Sequence, residues 1–361
     1  MPQPRSLSWK ERLRALGPGL ITGAADDDPS GIATYAQTGA QFGFLQLWTA
    51  IVLTPCMIVV QEMVGRLGLV KGRGLATLIG QRYGRKILWF SVGLLLIANV
   101  INIGADIGAM AAVLRMLFGL PFVMWMLLVT AGTLLLEIVV SYRVYASYLR
   151  YLVLSLVSYV LVAFIVHEPW GVIARATIVP SFVWSAPFLM NIVALLGTTI
   201  SPYLFFWQAS EEVEEEVLHH KLAGMDAGRP RVSMRDVQRM RWDTAVGMVV
   251  SNTVMFFIIV ASAATLGAHG VTAILTPDQA AQALRPLAGD GAYWLFAVGI
   301  IGTGLLAVPV LAGSVSYAIA EALGWHSGLY KKFKNAHGFY GVMKPKPFSS
   351  FLPAIVPFIR L

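Results

Sequence analysis

Charge is scarce in this sequence. Asp, Glu, Lys and Arg make up 13% of its 361 residues, well below the roughly one quarter of an average globular domain. With 57% hydrophobic residues and a mean hydropathy of +0.69, so few charges cannot clothe a water-facing surface, which excludes a soluble globular protein. Cysteine is scarcer still. Cys56 stands alone, so an internal disulfide is impossible, and its place inside an apolar run predicts a packed core residue. Residues 1–16 carry Arg5, Lys10, Arg12 and Arg14 but lack the short apolar core and small-residue cleavage site of a signal peptide. They are expected to stay on the chain as a cytoplasmic tail. A net charge of +8 does not point to nucleic acid in such a chain; what matters is the side of a membrane on which the charges fall.

What the sequence has in abundance is long apolar runs, at 17–43, 45–65, 87–114, 121–141, 149–166, 187–209, 243–267 and 292–322. They predict an all-α polytopic membrane protein with about eight transmembrane helices, one transmembrane domain over 1–361, ending in a basic tail over 326–361. With the N-terminus inside, only Arg115, Arg175 and Arg285 of the 27 Lys and Arg residues fall outside. That asymmetry sets the expected orientation and supports the span count. The expected location is a bacterial cytoplasmic membrane, with the lipid bilayer as partner and the oligomeric state left open.

Within the first span lies Asp26-Asp27-Asp28-Pro29-Ser30-Gly31. Carboxylates at bilayer depth are costly, so they signal function before structure. Pro29 has no amide hydrogen and Gly31 no Cβ, so the helix is expected to break where the acids lie. The span would be about 40 Å long if unbroken, against a hydrocarbon core of roughly 30 Å, which suits a tilted or interrupted helix. Broken backbone at that depth belongs in a cavity or inside protein, where transporters bind ions. The sixth span carries a second interruption, Gly197-Thr198-Thr199-Ile200-Ser201-Pro202-Tyr203. Two polar, proline-broken spans five apart point to inverted five-helix repeats with a site between them.

Elsewhere, Asn99, Asn102 and Asp106 share one helical face of the third span, fitting either a permeation path or an interhelical hydrogen-bonding pair. Glu137 closes the fourth span as an exposed or paired acid. The run Glu211 to Glu216, with His219, His220 and Lys221 after it, reads as a solvated helical face or as a cation-attracting vestibule. Adjacent on a helix, His219 and His220 point in different directions, which argues against a metal pair.

Gly17-Pro18-Gly19 followed by Asp28-Pro29-Ser30-Gly31-Ile32-Ala33-Thr34 resembles the first-helix signature of the Nramp divalent-metal transporters, and Ser201-Pro202-Tyr203 falls where that family has Met-Pro-His. Gln61 with Arg66-Leu67-Gly68-Leu69-Val70-Lys71-Gly72, Leu117-Phe118-Gly119-Leu120-Pro121, and Asp243 with Gly247, Ser251 and Asn252 are similar to it as well. The resemblance spans about 17–325. It implies a LeuT-like inverted-repeat fold, cation transport by alternating access, no enzymatic activity, and no cofactor beyond the transported divalent cation. It also implies an incomplete second repeat, because the basic stretch and the short apolar run with Pro353 and Pro357 after Trp325 do not supply two more spans; a truncated or frameshifted product and a replaced end both remain open.

Mapped onto this chain, the resemblance implies a metal set of Asp27, Asp28, Ser30, Gly31, Thr198, Ser201 and Tyr203. Asp26, Asn102, Asp106 and Gln208 fall along the permeation or coupling path. Gly31 stands where the family has an asparagine ligand, Ser201 where it has methionine and Tyr203 where it has histidine. Losing the soft thioether favours hard cations, and losing bulk leaves room for the waters that Mg²⁺ sheds reluctantly. The expected cargo is Mg²⁺, with Mn²⁺ beside it, as in the Nramp-related magnesium transporters. Tyr203 and Gln208 also replace histidines, so a histidine proton relay is not available there and uncoupled transport is expected. The alternatives are a proton-coupled Mn²⁺ or Fe²⁺ importer, a non-functional truncated member, an amine symporter on the same fold and, remotely, an intramembrane aspartyl protease using Asp28 and Asp106.

Overall fold

The computed structural model describes residues 16–139, 156–165, 170–225, 227–271, 274, 276–329 and 337–343. Among these there are helices and no strands: α1 (Pro18–Asp26), α2 (Pro29–Phe42), α3 (Trp48–Lys71), α4 (Leu75–Tyr83), α5 (Arg85–Phe118), α6 (Phe122–Val139) and α7 (Val157–Ile165), then α8 (Trp170–Ile178), α9 (Ala186–Thr199), α10 (Pro202–Leu218), α11 (Met234–Thr265), α12 (Pro277–Leu323) and α13 (His337–Met343). Five stretches among the described residues are long and apolar enough to cross a membrane: α3, α5, α9 with α10, α11 extended to His269, and α12 from Gly289 onward. The other predicted spans correspond to the half-helices α1 and α2, to α6, and to α7. The short helices α4 and α8 lie outside every predicted span, and the side chain of Glu137 and the tails at 1–15 and 344–361 lie outside the described residues.

Both expected breaks are present. Asp28 caps α2 and Pro29 opens it, while Pro202 opens α10 after the extended Ser201. Pro is at home in the first turn, where its missing amide has no helical partner to lose. A third irregularity sits in α12, where Gly289 takes φ 83° between the leader 277–288 and the apolar span that follows.

α11 is the spine. It begins with a capping box in which Ser233 and Asp236 satisfy each other's backbone amides. Gly19 and Gly23 of α1 then meet Gly247 of α11 so closely that a Cβ at Gly19 would stand 2.6 Å from the Thr244 amide nitrogen, and one at Gly23 would collide with the Gly247 backbone. Gly39 of α2 repeats this contact against Ile259 and Ala263. With lipid competing for apolar surface, small residues that let two backbones approach are what drive such packing. The broken first helix is thereby laid along α11 over its whole length.

The core is apolar and aromatic, with Tyr35, Phe188, Trp207, Phe296 and Tyr317 fully or almost fully buried. The outer surface is apolar too: Phe90 and Ile97 of α5 are 68% and 61% exposed, the pattern of a surface that faces lipid rather than water. Cys56 belongs to this outer face, not to the core. Its neighbours Leu53 and Met57 take the inward positions of α3, and three to four residues separate successive inward positions on a helix.

The acidic run after the second break is not a solvated face. Glu211, Glu212, Glu214 and Glu216 are all buried, because α10 continues beyond the break between α3 and α12. The Tyr317 hydroxyl donates to Glu211 at 3.2 Å and also to Glu214, which takes the Leu329 amide as well. Gln208 reaches Glu212 at 3.5 Å, and Lys221 pairs with Glu216 at 3.1 Å. Beside them Ser210 donates to Glu321 of α12 at 2.9 Å. His219 and His220 follow at the exposed end of the helix.

Candidate metal site at two broken helices

The first break is organised by Asp28. Its Oδ1 accepts from the Ser30 hydroxyl at 2.7 Å and from the Gly31 amide at 2.7 Å, which satisfies amide groups that the start of α2 would otherwise leave unpaired. A carboxylate at a helix N-terminus also meets the positive end of the helix dipole. The Ser30 amide donates to Asp106 Oδ1 at 3.2 Å. One serine thus links carboxylates from α2's cap and from α5.

The second break faces the first. The Tyr203 hydroxyl, on the first turn of α10, donates to the Ala25 carbonyl of α1 at 2.7 Å. A Cβ at Gly31 would meet the Thr198 hydroxyl at 3.0 Å and Asp28 Oδ1 at 3.4 Å, so the absence of a side chain there keeps both oxygens close to the gap. At the end of α9, Ser201 donates back to the Thr198 carbonyl at 2.7 Å, and Thr199 to the Leu195 carbonyl at 2.7 Å. The Ser201 hydroxyl therefore satisfies the Thr198 carbonyl, which Pro202 leaves without an amide donor.

The predicted residues separate into groups. Asp28, Ser30, Gly31, Thr198, Tyr203 and Asp106 come together at the facing breaks. Ser201 is adjacent, with its hydroxyl donated back to the last turn of α9. Asp27 turns away with Asp26 toward α11, where the Ser251 hydroxyl lies 2.9 Å from Asp26 Oδ2 and 3.4 Å from Asp27 Oδ1. Gln208 is farther down α10, accepting from Gln61 at 2.6 Å and donating to Thr244 at 2.7 Å; this amide chain ties α3, α10 and α11 together. Asn99 bonds the Leu311 carbonyl at 2.9 Å and Ser314 at 2.7 Å, an interhelical link to α12, and Asn102 is half-buried with no hydrogen bond to the group. Among the described residues no three His, Cys, Asp or Glu side chains are gathered to hold a metal ion. The facing breaks themselves offer two carboxylates, Asp28 and Asp106, together with hydroxyls and carbonyls.

Among the described residues, one oxygen each of Asp26, Asp27 and Asp106 is buried without a hydrogen-bond partner. Buried polar atoms are nearly always paired, so this concentration around one break marks the place where the fold has left acceptors open. Two residues escaped the sequence reading as functional supports. Asp243 of α11 accepts from the amides of Gly17, Gly19 and Leu20 at 2.9, 2.7 and 3.1 Å and so caps α1 from another helix, and Ser251 serves both upstream aspartates. The signal for both was their spacing on α11: four and eight residues separate them from Gly247 and from each other, which puts all three on the face that meets α1.

A bundle whose first and sixth spans are both broken, with the breaks in contact, defines a membrane transporter of LeuT-like architecture rather than an enzyme. The chain belongs to the Nramp family: the family model described as natural resistance-associated macrophage protein-like matches residues 19–356. It is 27% identical over 315 residues to the divalent metal cation transporter MntH of Klebsiella pneumoniae, covering 85% of this chain and 72% of that protein. The fold resembles that of the Eremococcus coleocola manganese transporter, with a TM-score of 0.73 at 19% identity over 99% of this chain and 72% of that one. It also resembles the nucleobase-cation-symport transporter MHP1, with a TM-score of 0.62 at 12% identity over 91% and 70% of the two chains.

Proposed function

We propose that this chain carries divalent metal cations across a membrane by alternating access, with Mg²⁺ as preferred cargo, Mn²⁺ also accepted and no coupled proton. The observation that carries the proposal is the contact of the two breaks, with the Asp28 carboxylate on one side and the Thr198 hydroxyl and Tyr203 on the other. Divalent transport is supported by the relatives' names, a divalent metal cation transporter and a manganese transporter. The preference for Mg²⁺ is supported by the donors at the breaks, which are oxygen alone: carboxylate, hydroxyl, phenol and carbonyl. Such a set suits hard cations such as Mg²⁺ and Mn²⁺, and Mg²⁺ above all because it keeps part of its water shell, whereas iron and zinc sites gain from imidazole or thiolate ligands. Absence of proton coupling is supported by Tyr203 and by Gln208, whose amide is held by Gln61 and Thr244. A cytoplasmic N-terminus is supported by the distribution of basic residues, and a bacterial membrane by the organisms of the relatives.

The test is uptake of Mg²⁺, Mn²⁺ and Ca²⁺ into proteoliposomes containing an internal pH dye, for the native chain and for Asp28→Ala. The expected result is Mg²⁺ and Mn²⁺ flux without a pH change, abolished in the variant. Mn²⁺ flux with acidification and no Mg²⁺ flux would replace this proposal with proton-coupled manganese import. Flux of an organic amine that divalent ions do not inhibit would replace it with amine symport.

A further inference from the structure

A basic cavity at the end of α3 takes no part in the transport site. α3 stops at Lys71, where Gly72 adopts a left-handed φ of 64°. The loop before α11 packs directly on that turn: a Cβ at Gly72 would stand 2.8 Å from both the Gly228 carbonyl oxygen and the Pro230 Cδ. α4 follows at once, and the Thr77 amide donates to Glu321 Oε2 at 3.1 Å, which pins the start of this short helix to the end of α12. These pieces enclose a cavity of about 620 Å³.

Four cations line it, Lys71 and Arg73 from the turn, Arg82 from α4 and Arg229 from the loop, together with apolar side chains that include Leu67 and Leu75, and no carboxylate is among its lining residues. Lys71, Arg82 and Arg229 are exposed, and among the described residues none of the three forms an ion pair. Like charges gathered around one concavity repel each other unless an anion sits among them, and guanidinium groups match the geometry of phosphate. The apolar part of the lining decides which phosphate. Leu67 belongs to the last turns of a membrane-spanning helix, and α4 joins two such helices, so the cavity lies where hydrocarbon gives way to headgroups.

We propose that this cavity binds the phosphate headgroup of an anionic phospholipid, with the lipid's chains lying along Leu67 and Leu75. The identity of the leaflet rests on the sidedness proposed above; the site itself does not depend on what the protein transports.

The experiment is native mass spectrometry of the full chain in detergent micelles doped with equal phosphatidylglycerol and phosphatidylcholine, which needs no flux assay. The native chain is expected to retain phosphatidylglycerol selectively, and the triple variant Lys71→Gln, Arg82→Gln, Arg229→Gln to lose that selectivity by about tenfold or more. A control variant, Arg231→Gln, Arg235→Gln, Arg239→Gln, removes as many charges from elsewhere on the same loop and the start of α11 and is expected to keep it. Both variants are checked for folding by gel filtration and circular dichroism. Equal selectivity in the native chain and the cavity variant, or equal loss in both variants, would overturn the proposal. So would displacement of the bound lipid by micromolar tripolyphosphate, which would assign the cavity to a soluble phosphate instead.

Discussion

Two runs of acids are buried in this bundle, and they differ in what surrounds them. At the first helix break, Asp26, Asp27 and Asp106 each keep an oxygen with no donor. Along α10, Glu211, Glu212 and Glu214 each meet a tyrosine, amide or backbone donor; among the described acids of this run, Glu216 alone has a fully buried oxygen without a donor, and its other oxygen is paired with Lys221. Burial alone does not make an ion site. A carboxylate saturated by fixed donors is a structural tie, and one held in place with an acceptor left over is ready for a cation.

The sharpest break of this contrast is at Asp28. Asp28→Ala removes the charge and the cap of α2 together, so Mg²⁺ flux in proteoliposomes is expected to fall by more than about 100-fold, beyond the range seen when only a supporting partner of a metal ligand is lost. Asp28→Asn separates the two roles, since an amide oxygen still accepts from Gly31. It is expected to keep the chain folded while flux remains lost, and a variant that transported normally would remove Asp28 from the site.

Glu214→Ala makes the opposite kind of damage. It deprives the Tyr317 hydroxyl and the Leu329 amide of their acceptor, and is expected to cost about 1.5–3 kcal/mol of stability, the value of hydrogen bonds to a charged group. Thermal unfolding in detergent would show it, while the Mg²⁺ concentration for half-maximal uptake stays unchanged. A large shift in that concentration with an unchanged melting temperature would make the α10 acids part of the ion path and erase the distinction.

Much of this difference was hidden from the sequence. The breaks were legible because proline, glycine and N-cap chemistry act within four or five residues, so Asp28-Pro29 and Ser201-Pro202 announce themselves. The pairing of the two breaks was legible from their distance of five spans and from the family resemblance. The direction of Asp27 was not, because it depends on Ser251, more than 200 residues away. The burial of Glu211 and Glu214 was missed for the same reason: their donors come from α12 and the segment after it, and a local reading of charge density treats acids as solvated by default. Cys56 was misplaced because every position of a lipid-facing span is apolar, and composition alone cannot distinguish a core-facing residue from a lipid-facing one.

Between these extremes lies Ser251, which touches the open carboxylates without belonging to them. Ser251→Ala would remove the donor shared by Asp26 and Asp27, and as a supporting contact it is expected to weaken apparent Mg²⁺ affinity by about tenfold, the lower end of the range for such partners. Isothermal binding measurements on the purified chain would read it directly. Unchanged affinity would mean that the upstream aspartates do not communicate with Asp28 and that the open oxygens at the break fall into two independent groups.

The finest distinction concerns Tyr203, which is both a predicted ligand and the bridge between the breaks. Its hydroxyl donates to the Ala25 carbonyl at 2.7 Å, which uses the proton but leaves the oxygen's lone pairs able to face an ion. Tyr203→Phe removes only that oxygen. If the phenol is a latch between α1 and α10, the loss is that of one neutral hydrogen bond, about 0.5–1.5 kcal/mol, seen as a small drop in melting temperature with Mg²⁺ affinity nearly constant. If it is a ligand, affinity falls by more than tenfold while stability barely moves. The short contact to Ala25 favours the latch, and the same substitution measured by both assays decides whether the second break supplies a ligand or holds the first one shut.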